Sequence, residues 1–203
     1  MSSSIPAWKD KILFTPGPLT TSPTVKQAML RDLGSRDYAF IGIVRDVRAR
    51  LLDLAQASKG EYECVIMQGS GTFSVESVIS SSIPAEGKLL ILVNGAYGRR
   101  IHSIAKVHNI ATEVLDFGED TLVDPATVSA ALTKDPAITH VAIVHCETTT
   151  GIINDINAIG QVVTAAGRRY IVDSMSAFGG VEVNVPAGNI DFIVSSSNKC
   201  VEG

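Results

Sequence analysis

Polar side chains that could carry chemistry occur in five short clusters, and each cluster directly follows a short apolar stretch. The clusters cover residues 68–72, 94–98, 146–151, 173–176 and 195–199. Asp173 is a carboxylate that comes directly after Tyr-Ile-Val, and Lys199 is an amine that comes behind Ser-Ser-Ser-Asn. A buried acid needs a partner, and a partly desolvated lysine is a nucleophile that can form a Schiff base. A turn-capping Asp173 and a solvated Lys199 are the alternatives.

The cluster at 68–72, Gln-Gly-Ser-Gly-Thr, opens a predicted helix. A helix start offers free backbone N–H groups and the positive end of the helix dipole, and two hydroxyls add donors. Ser70, Gly71 and Thr72 therefore form a candidate phosphate site. The cluster lacks the lysine of a P-loop, and Ser74 stands at the third glycine position of the dinucleotide-binding pattern. An ordinary strand-to-helix turn with a serine cap is the alternative.

Two further clusters supply an aromatic ring and hydroxyl groups. Tyr97 begins a predicted helix, where its ring could stack on a planar cofactor or simply pack on its neighbours. Thr148 is the first of three consecutive threonines that could donate hydrogen bonds or form a plain turn. Together the five clusters offer an anion site, a ring platform, hydroxyl donors, an acid and a lysine, which is the set that pyridoxal phosphate requires.

The elements that must position these clusters alternate along the chain. Helices are predicted at 23–33, 42–57, 72–83, 97–108, 125–134 and 155–167, and strands at 63–67, 88–93, 112–115, 140–145, 169–172 and 191–194. Near-continuous apolar strands between amphipathic helices predict an α/β fold, with a mostly parallel sheet covered by helices on both faces. Ligands of such sheets bind at the carboxyl ends of the strands, where all five clusters are expected.

With these motifs in place, the sequence resembles the class V, fold-type I pyridoxal-phosphate aminotransferases. The matching segments are 15–21 (TPGPLTT), 68–72 (QGSGT), 94–98 (NGAYG), 145–151 (HCETTTG), 172–180 (VDSMSAFGG) and 195–200 (SSSNKC). They cover almost the whole chain in the order of the family. The resemblance implies the cofactor-binding large domain of a fold-type I transferase, with pyridoxal 5′-phosphate as cofactor.

The resemblance also implies a role for individual residues. Lys199 carries the cofactor covalently and Asp173 faces its pyridine nitrogen, so these two are the expected catalytic residues. The other expected cofactor-binding residues are Ser70, Gly71 and Thr72 at the phosphate, Tyr97 stacked on the ring, Thr148 near the phenolic oxygen, and Ser196 and Asn198 with less defined roles. No metal site is expected, because Cys64, Cys146 and Cys200 are scattered and form no metal-binding or disulfide pattern.

The fuller motif matches indicate 2-aminoethylphosphonate as amino donor and pyruvate as acceptor. An alanine–glyoxylate or serine–pyruvate transaminase of the same superfamily is the first alternative. A dinucleotide-binding oxidoreductase is a second, although the broken glycine pattern speaks against it. A non-catalytic fragment is a third.

The resemblance further implies a domain division, with residues 1–22 as an N-terminal arm and residues 23–203 as a truncated large domain. Family members continue past the lysine into a smaller C-terminal domain, which is absent here, and they form homodimers. The large domain is therefore expected to be incomplete at its C-terminus. The basic residue that holds the acidic group of the substrate is expected in the absent part. The 203-residue polypeptide alone is expected to be poorly soluble and inactive.

The amino-acid composition and net charge limit the kinds of partner that the protein is expected to bind. The chain has 203 residues with 45% hydrophobic and 19% charged side chains, and a net charge of −4. This balance gives no reason to expect nucleic acid. No apolar stretch reaches the roughly 20 residues of a membrane helix, and residues 1–11 do not resemble a secretory signal. A cytoplasmic enzyme with small-molecule substrates is expected, and the sequence leaves a mitochondrial location open.

Overall fold

A computed structural model describes residues 11–57 and 60–202, so part of the expected N-terminal arm, residues 1–10, lies outside the described residues. Its strands are β1 (Lys88–Val93), β2 (Ala111–Asp116), β3 (Ile138–Val144), β4 (Arg169–Asp173) and β5 (Phe192–Val194). They form one sheet in the order β2-β1-β3-β4-β5, and every neighbouring pair is parallel. The predicted parallel α/β fold is confirmed.

The helices are α1 (Pro23–Ala28), α2 (Tyr38–Leu54), α3 (Gly71–Ser82), α4 (Ala96–Val107), α5 (Pro125–Lys134) and α6 (Ile156–Ala165). Side-chain caps fix several of their starts. Ser22 caps α1, Asp124 caps α5 and Asp155 caps α6, each by accepting hydrogen bonds from first-turn backbone N–H groups. Among the described residues, no helix is both long and apolar enough to cross a membrane.

Alternate side chains of the strands pack into two separate cores, one on each face of the sheet. Leu90, Val141 and Val172 face one core, which α5 and α6 complete. Leu89, Ala142 and Ile171 face the other core, which α3 and α4 complete. This two-sided burial explains why the strands read as continuous apolar runs, and it leaves the ends of the strands as the place for polar groups.

The predicted strand at 63–67 is wrong. The segment has no strand assignment, and Val65 and Ile66 are 78% and 51% exposed. A strand needs a hydrogen-bonded neighbour, and among the described residues the sheet ends at β2 on one side and at β5 on the other. The apolar composition of this segment therefore predicted a strand, but the segment pairs with no other strand among the described residues.

The first two helices differ from prediction in length. α1 ends at Ala28 instead of about residue 33, because none of its side chains is buried and a short helix without packing is marginal. α2 begins at Tyr38, four residues before the predicted start, with Asp37 at its N-cap position. The periodic apolar side chains that predicted α2 include Ile43 and Val47, which are 50% and 41% exposed.

Candidate active site

Asp173 is the last residue of β4, and its side chain is almost fully buried. One carboxylate oxygen accepts a hydrogen bond of 3.1 Å from the backbone N–H of Met175. Burial raises the pKa of Asp173 to about 6, and the charge of Glu147 adds to the rise, whereas the cations Arg100 and Lys199 oppose it. The site therefore holds a carboxylate whose negative charge is only partly compensated by protein groups.

Lys199 lies in the loop that follows β5, the strand beside β4. Its half-buried side chain runs against Gly17, where an added Cβ would overlap the lysine methylenes. Gly17 has a φ of +147°, a conformation that side chains disfavour, so glycine is required there twice over. Glu202 accepts a hydrogen bond from the backbone N–H of Ser22 at 2.7 Å, which ties the same N-terminal loop to the segment after Lys199.

The start of α3 lies against the loops that follow β4 and β5. Ser70 caps this helix by accepting a hydrogen bond from the N–H of Phe73 at 3.3 Å. A Cβ on Gly71 would overlap the sulfur of Met175 and would lie 3.3 Å from the Cβ of Ser196. Ser70 and Thr72 are exposed, so their hydroxyls and the first N–H groups of α3 are accessible to an anion.

Two hydroxyl contacts join the loop after β3 to the loop after β4. Thr148 and Ser176 form a hydrogen bond of 2.6 Å between their side-chain oxygens. Deeper in the structure, buried His145 and buried Ser174 are 3.0 Å apart between Nδ1 and Oγ. Burial lowers the pKa of His145, which favours its neutral form. Thr148 is thus held beside the β4 loop that begins at Asp173.

Tyr97 occupies the first turn of α4, which follows β1. The guanidinium of Arg100 lies 4.8 Å from the centre of its ring, in the range of a cation–π contact. The backbone N–H of Tyr97 donates to both carboxylate oxygens of Glu147, at 3.2 and 3.1 Å. The ring is therefore held through its backbone by one loop of the site and covered on one face by a cation.

Ser196 and Asn198 bond to each other, with 2.5 Å between the serine Oγ and the amide Oδ1. Just before them, the Oγ of Ser195 is buried and has no hydrogen-bond partner among the described residues. A buried hydroxyl without a partner costs free energy unless a ligand, water or further part of the protein satisfies it. The β5 loop thus carries unused hydrogen-bonding capacity beside Lys199.

All nine residues that the sequence singled out lie at the carboxyl edge of the sheet or at the start of α3, which contacts that edge. Sequence reasoning missed other members of the site: the supporting residues Glu147, His145, Ser174, Met175 and Ser176, the nearby cation Arg100, and Gly17 against Lys199. Most of them stand inside the quoted motifs, but only the folded structure reveals their contacts. Within the described ranges, no cluster of three His, Cys, Asp or Glu side chains could hold a metal ion, and all three cysteines are free.

Residues 23–202 match the family described as aminotransferase class-V. The chain belongs to the class-V aminotransferases. This membership rules out the dinucleotide-binding oxidoreductase that the sequence left open, and it confirms the resemblance drawn from the motifs.

Curated relatives of this class-V aminotransferase are highly similar. It is 50% identical over 192 residues to the 2-aminoethylphosphonate–pyruvate transaminase of Syntrophobacter fumaroxidans, which is 95% of this chain and 52% of the relative. It is 51% identical over 191 residues to the enzyme of the same name from Rhizobium meliloti, at 94% and 50% coverage. The chain therefore spans about half the length of the curated relatives it matches.

Solved structures agree with the fold-type I assignment of this class-V aminotransferase. Pyridoxamine–pyruvate aminotransferase from Mesorhizobium loti superposes with a TM-score of 0.88 at 28% identity, covering 98% of this chain and 50% of that one. Ureidoglycine–glyoxylate aminotransferase from Bacillus subtilis superposes with a TM-score of 0.85 at 30% identity, covering 93% and 48%. The family depends on pyridoxal phosphate, acts on small molecules and is generally dimeric.

The residues present fit such a cofactor. The undercompensated carboxylate of Asp173 suits a protonated ring nitrogen, because an opposite charge would stabilise its ionised form. The accessible start of α3 suits a phosphate. Lys199 lies in the loop after the neighbouring strand, close enough for its charge to act on Asp173. These features come from three separate elements, and each matches a different part of pyridoxal phosphate.

Proposed function

We propose that this chain is the cofactor-binding part of a pyridoxal-phosphate-dependent transaminase that moves the amino group of 2-aminoethylphosphonate to pyruvate. The products are phosphonoacetaldehyde and alanine. The observation that carries the reaction type is the placement of Asp173 at the end of β4 and of Lys199 in the loop after β5, the adjacent parallel strand. The choice of substrates is supported by identities of 50% and 51% to curated enzymes with that name.

The proposed cofactor-holding groups are distributed over five loops. Lys199 is the covalent attachment point, and Asp173 is the partner of the ring nitrogen. Ser70, Gly71 and Thr72 hold the phosphate together with the dipole of α3. Tyr97 stacks on the ring, Thr148 serves the phenolic oxygen, and Ser196 and Asn198 border the lysine. When bound, pyridoxal phosphate supplies an electron sink for the carbon next to the substrate amine.

The protein's own residues manage charge and protons around that carbon. Asp173, when ionised, keeps a proton on the nitrogen that it faces, because the opposite charge favours the charged form. The Nζ of Lys199 is the proposed base that takes and returns the substrate proton, since Lys199 lies in the loop after β5, the strand paired with the strand that ends at Asp173. The contact with Gly17 limits the positions of the Lys199 side chain.

The remaining organisation is proposed from the family. Residues 1–22 form an arm, residues 23–203 belong to the large domain, and the whole protein is a homodimer with small-molecule substrates. A cytoplasmic location accords with three free cysteines in the described residues. Neither nucleic acid nor a membrane is a proposed partner.

A substrate comparison tests this function. The natural gene product that carries these residues, purified with pyridoxal phosphate, is incubated with 2-aminoethylphosphonate and pyruvate, and alanine and phosphonoacetaldehyde are quantified. Parallel reactions contain alanine with glyoxylate, and serine with pyruvate. We expect the phosphonate donor to give the highest kcat/KM. A higher value with alanine or serine would replace the proposed substrate while keeping the reaction type.

A further inference from the structure

Glu147 is a fully buried acid, with 0% of its surface exposed, in the loop that follows β3. Its two carboxylate oxygens accept hydrogen bonds from the backbone N–H of Tyr97 at 3.2 and 3.1 Å, and Oε2 also accepts from Gly98 at 3.4 Å. These N–H groups belong to the first turn of α4, which has no acceptor for them within the helix. Glu147 therefore caps α4 from a position 50 residues away.

The capping position of α4 is built around this carboxylate. Gly95 stands at the N-cap and makes no side-chain capping bond. A Cβ added to Gly95 would overlap the Cγ and Cδ of Glu147 and would lie 2.6 Å from its Oε2. The acid thus fills the space that a local capping side chain would use. A carboxylate also complements the positive end of the α4 dipole, which offsets part of the cost of its burial.

The backbone of Glu147 is fixed as firmly as its side chain. Its N–H donates to the carbonyl of Ile152 at 3.0 Å, and its carbonyl accepts from Thr150 and Gly151 at 3.2 and 2.7 Å. Thr148 is the next residue and bonds to Ser176. One residue therefore connects the loop that carries Thr148 to the helix turn that carries Tyr97, and both of these are proposed cofactor contacts.

We propose that Glu147 is a positioning residue, which holds the Tyr97 ring and the Thr148 hydroxyl at a fixed separation so that a flat cofactor ring fits between their loops. This role rests on the proposed function. Glu147 touches neither substrate nor cofactor and acts through the two residues that do. Its charge has a second consequence, since it adds to the rise of the pKa of Asp173.

Two charge-removing variants of the natural gene product separate positioning from ordinary helix capping. Glu147→Gln keeps the shape of the side chain but removes its charge and one of its two acceptor oxygens, and it places an NH₂ group against the N–H groups of Tyr97 and Gly98. Asp124→Asn is the matched control: Asp124 caps α5 through the N–H groups of Ala126 and Thr127 at 3.3 and 2.8 Å, and α5 carries none of the proposed contacts. Both variants lose a capping charge, and both are expected to unfold at lower urea concentration.

Only Glu147→Gln should change cofactor binding. The readouts are the dissociation constant of pyridoxal phosphate and the circular dichroism induced in its visible absorption band. We expect roughly tenfold weaker binding and an altered band for Glu147→Gln, from the loss of hydrogen bonds to a charged acceptor, and a change below about twofold for Asp124→Asn. Equal effects in the two variants would overturn the proposal.

Amide hydrogen exchange keeps the test independent of the cofactor. Exchange at Tyr97 and Gly98 is measured in the parent protein and both variants without pyridoxal phosphate. Faster exchange at these two amides in Glu147→Gln alone supports positioning, and unchanged exchange overturns it. If the parent protein binds no pyridoxal phosphate while this exchange result holds, the proposed function fails and the structural link from Glu147 to Tyr97 stands.

Discussion

The two sides of the candidate site differ in how completely they are built by the described residues. The inner wall, residues 144–154 and 173–178, contains buried polar side chains that all have partners. Glu147 accepts from the backbone N–H of Tyr97, and Ser174 bonds to His145. The side-chain amide of Asn154 forms hydrogen bonds with Asn94 and with the carbonyl of Val144 at the sheet edge. The outer wall, residues 15–22 and 63–73, is largely exposed and is held by a few contacts with Gly17, Ser22 and Gly71.

This difference indicates which parts of the site are preset. On the inner wall, each buried polar group would be costly to leave unpaired, so its geometry is fixed before any ligand binds. The outer wall continues into α1 and α2, which have no fully buried side chain, and its apolar residues Val65, Ile66 and Phe73 are largely exposed. Removal of inner-wall groups should therefore alter turnover and pKa values as well as cofactor affinity, whereas changes on the outer wall should alter affinity and solubility with little effect on turnover.

The largest effect is expected at Asp173. Asp173→Asn keeps the size of the side chain and the hydrogen bond from Met175 but removes the charge that faces the proposed ring nitrogen. We expect kcat for transamination to fall by roughly 10²–10³-fold, as for the loss of one preorganised electrostatic group. The matched control is Asp116→Asn, at the exposed end of β2. Near-normal turnover in the Asp173 variant would show that the charge of this inner-wall residue does not contribute to catalysis.

The same substitution should change how stability depends on pH. Because the pKa of Asp173 is raised from 3.8 to about 6, the folded cofactor-free protein binds this proton more tightly than the unfolded chain. The parent therefore loses stability as the pH rises through that interval, and the Asn variant does not. The unfolding free energy of the variant relative to the parent should rise by roughly 2 kcal/mol between about pH 4 and about pH 8.

Urea denaturation of cofactor-free protein across that pH range measures the difference. If the difference in unfolding free energy between the parent and the Asp173→Asn variant stays constant across this pH range, burial does not raise the pKa of Asp173. If bound pyridoxal phosphate places its ring nitrogen beside Asp173, the pH dependence of this difference should become smaller, because the positive charge lowers the pKa of the carboxyl. If the cofactor binds elsewhere, its addition should leave the difference unchanged.

A smaller effect is expected on the outer wall, at Ser70 and Thr72. Their hydroxyls are exposed at the start of α3, and the helix N–H groups would share the phosphate. Each alanine substitution should weaken cofactor binding by about 1–2 kcal/mol with little change in kcat. Titration of the variants with pyridoxal phosphate gives the affinity, and Ser81→Ala, at the other end of α3, is the control. An unchanged affinity in the double variant would place the phosphate elsewhere.

The smallest effect concerns solubility. The 203-residue polypeptide alone should aggregate and lack transaminase activity, because α1, α2 and the 63–67 segment expose apolar side chains. Replacing Ile43 and Val47 by lysine should raise the soluble fraction about twofold, whereas a lysine at exposed Ser81 should not. Sedimentation of expressed protein measures the fractions. A soluble, active 203-residue parent would contradict this expectation.

The sequence predicted the sheet and the placement of the candidate residues at one edge of it, because both follow from local patterns. Apolar strands such as β3 and caps such as Asp124 carry their signal within a few residues. The segment 63–67 was mispredicted because strand formation depends on a neighbour that local composition does not reveal. Glu147 was missed for the same reason: its partners on α4 lie 50 residues away, and only tertiary structure brings them together.

The central claim is that Lys199, behind β5 and beside Asp173, carries the cofactor. The natural gene product loaded with pyridoxal phosphate is reduced with borohydride and digested, and the modified peptide is identified by mass spectrometry. Lys106→Arg, an exposed change on α4, serves as the control, and Lys199→Ala should abolish the label. The account predicts the modification on Lys199 alone. Modification of any other lysine in the parent protein would contradict it.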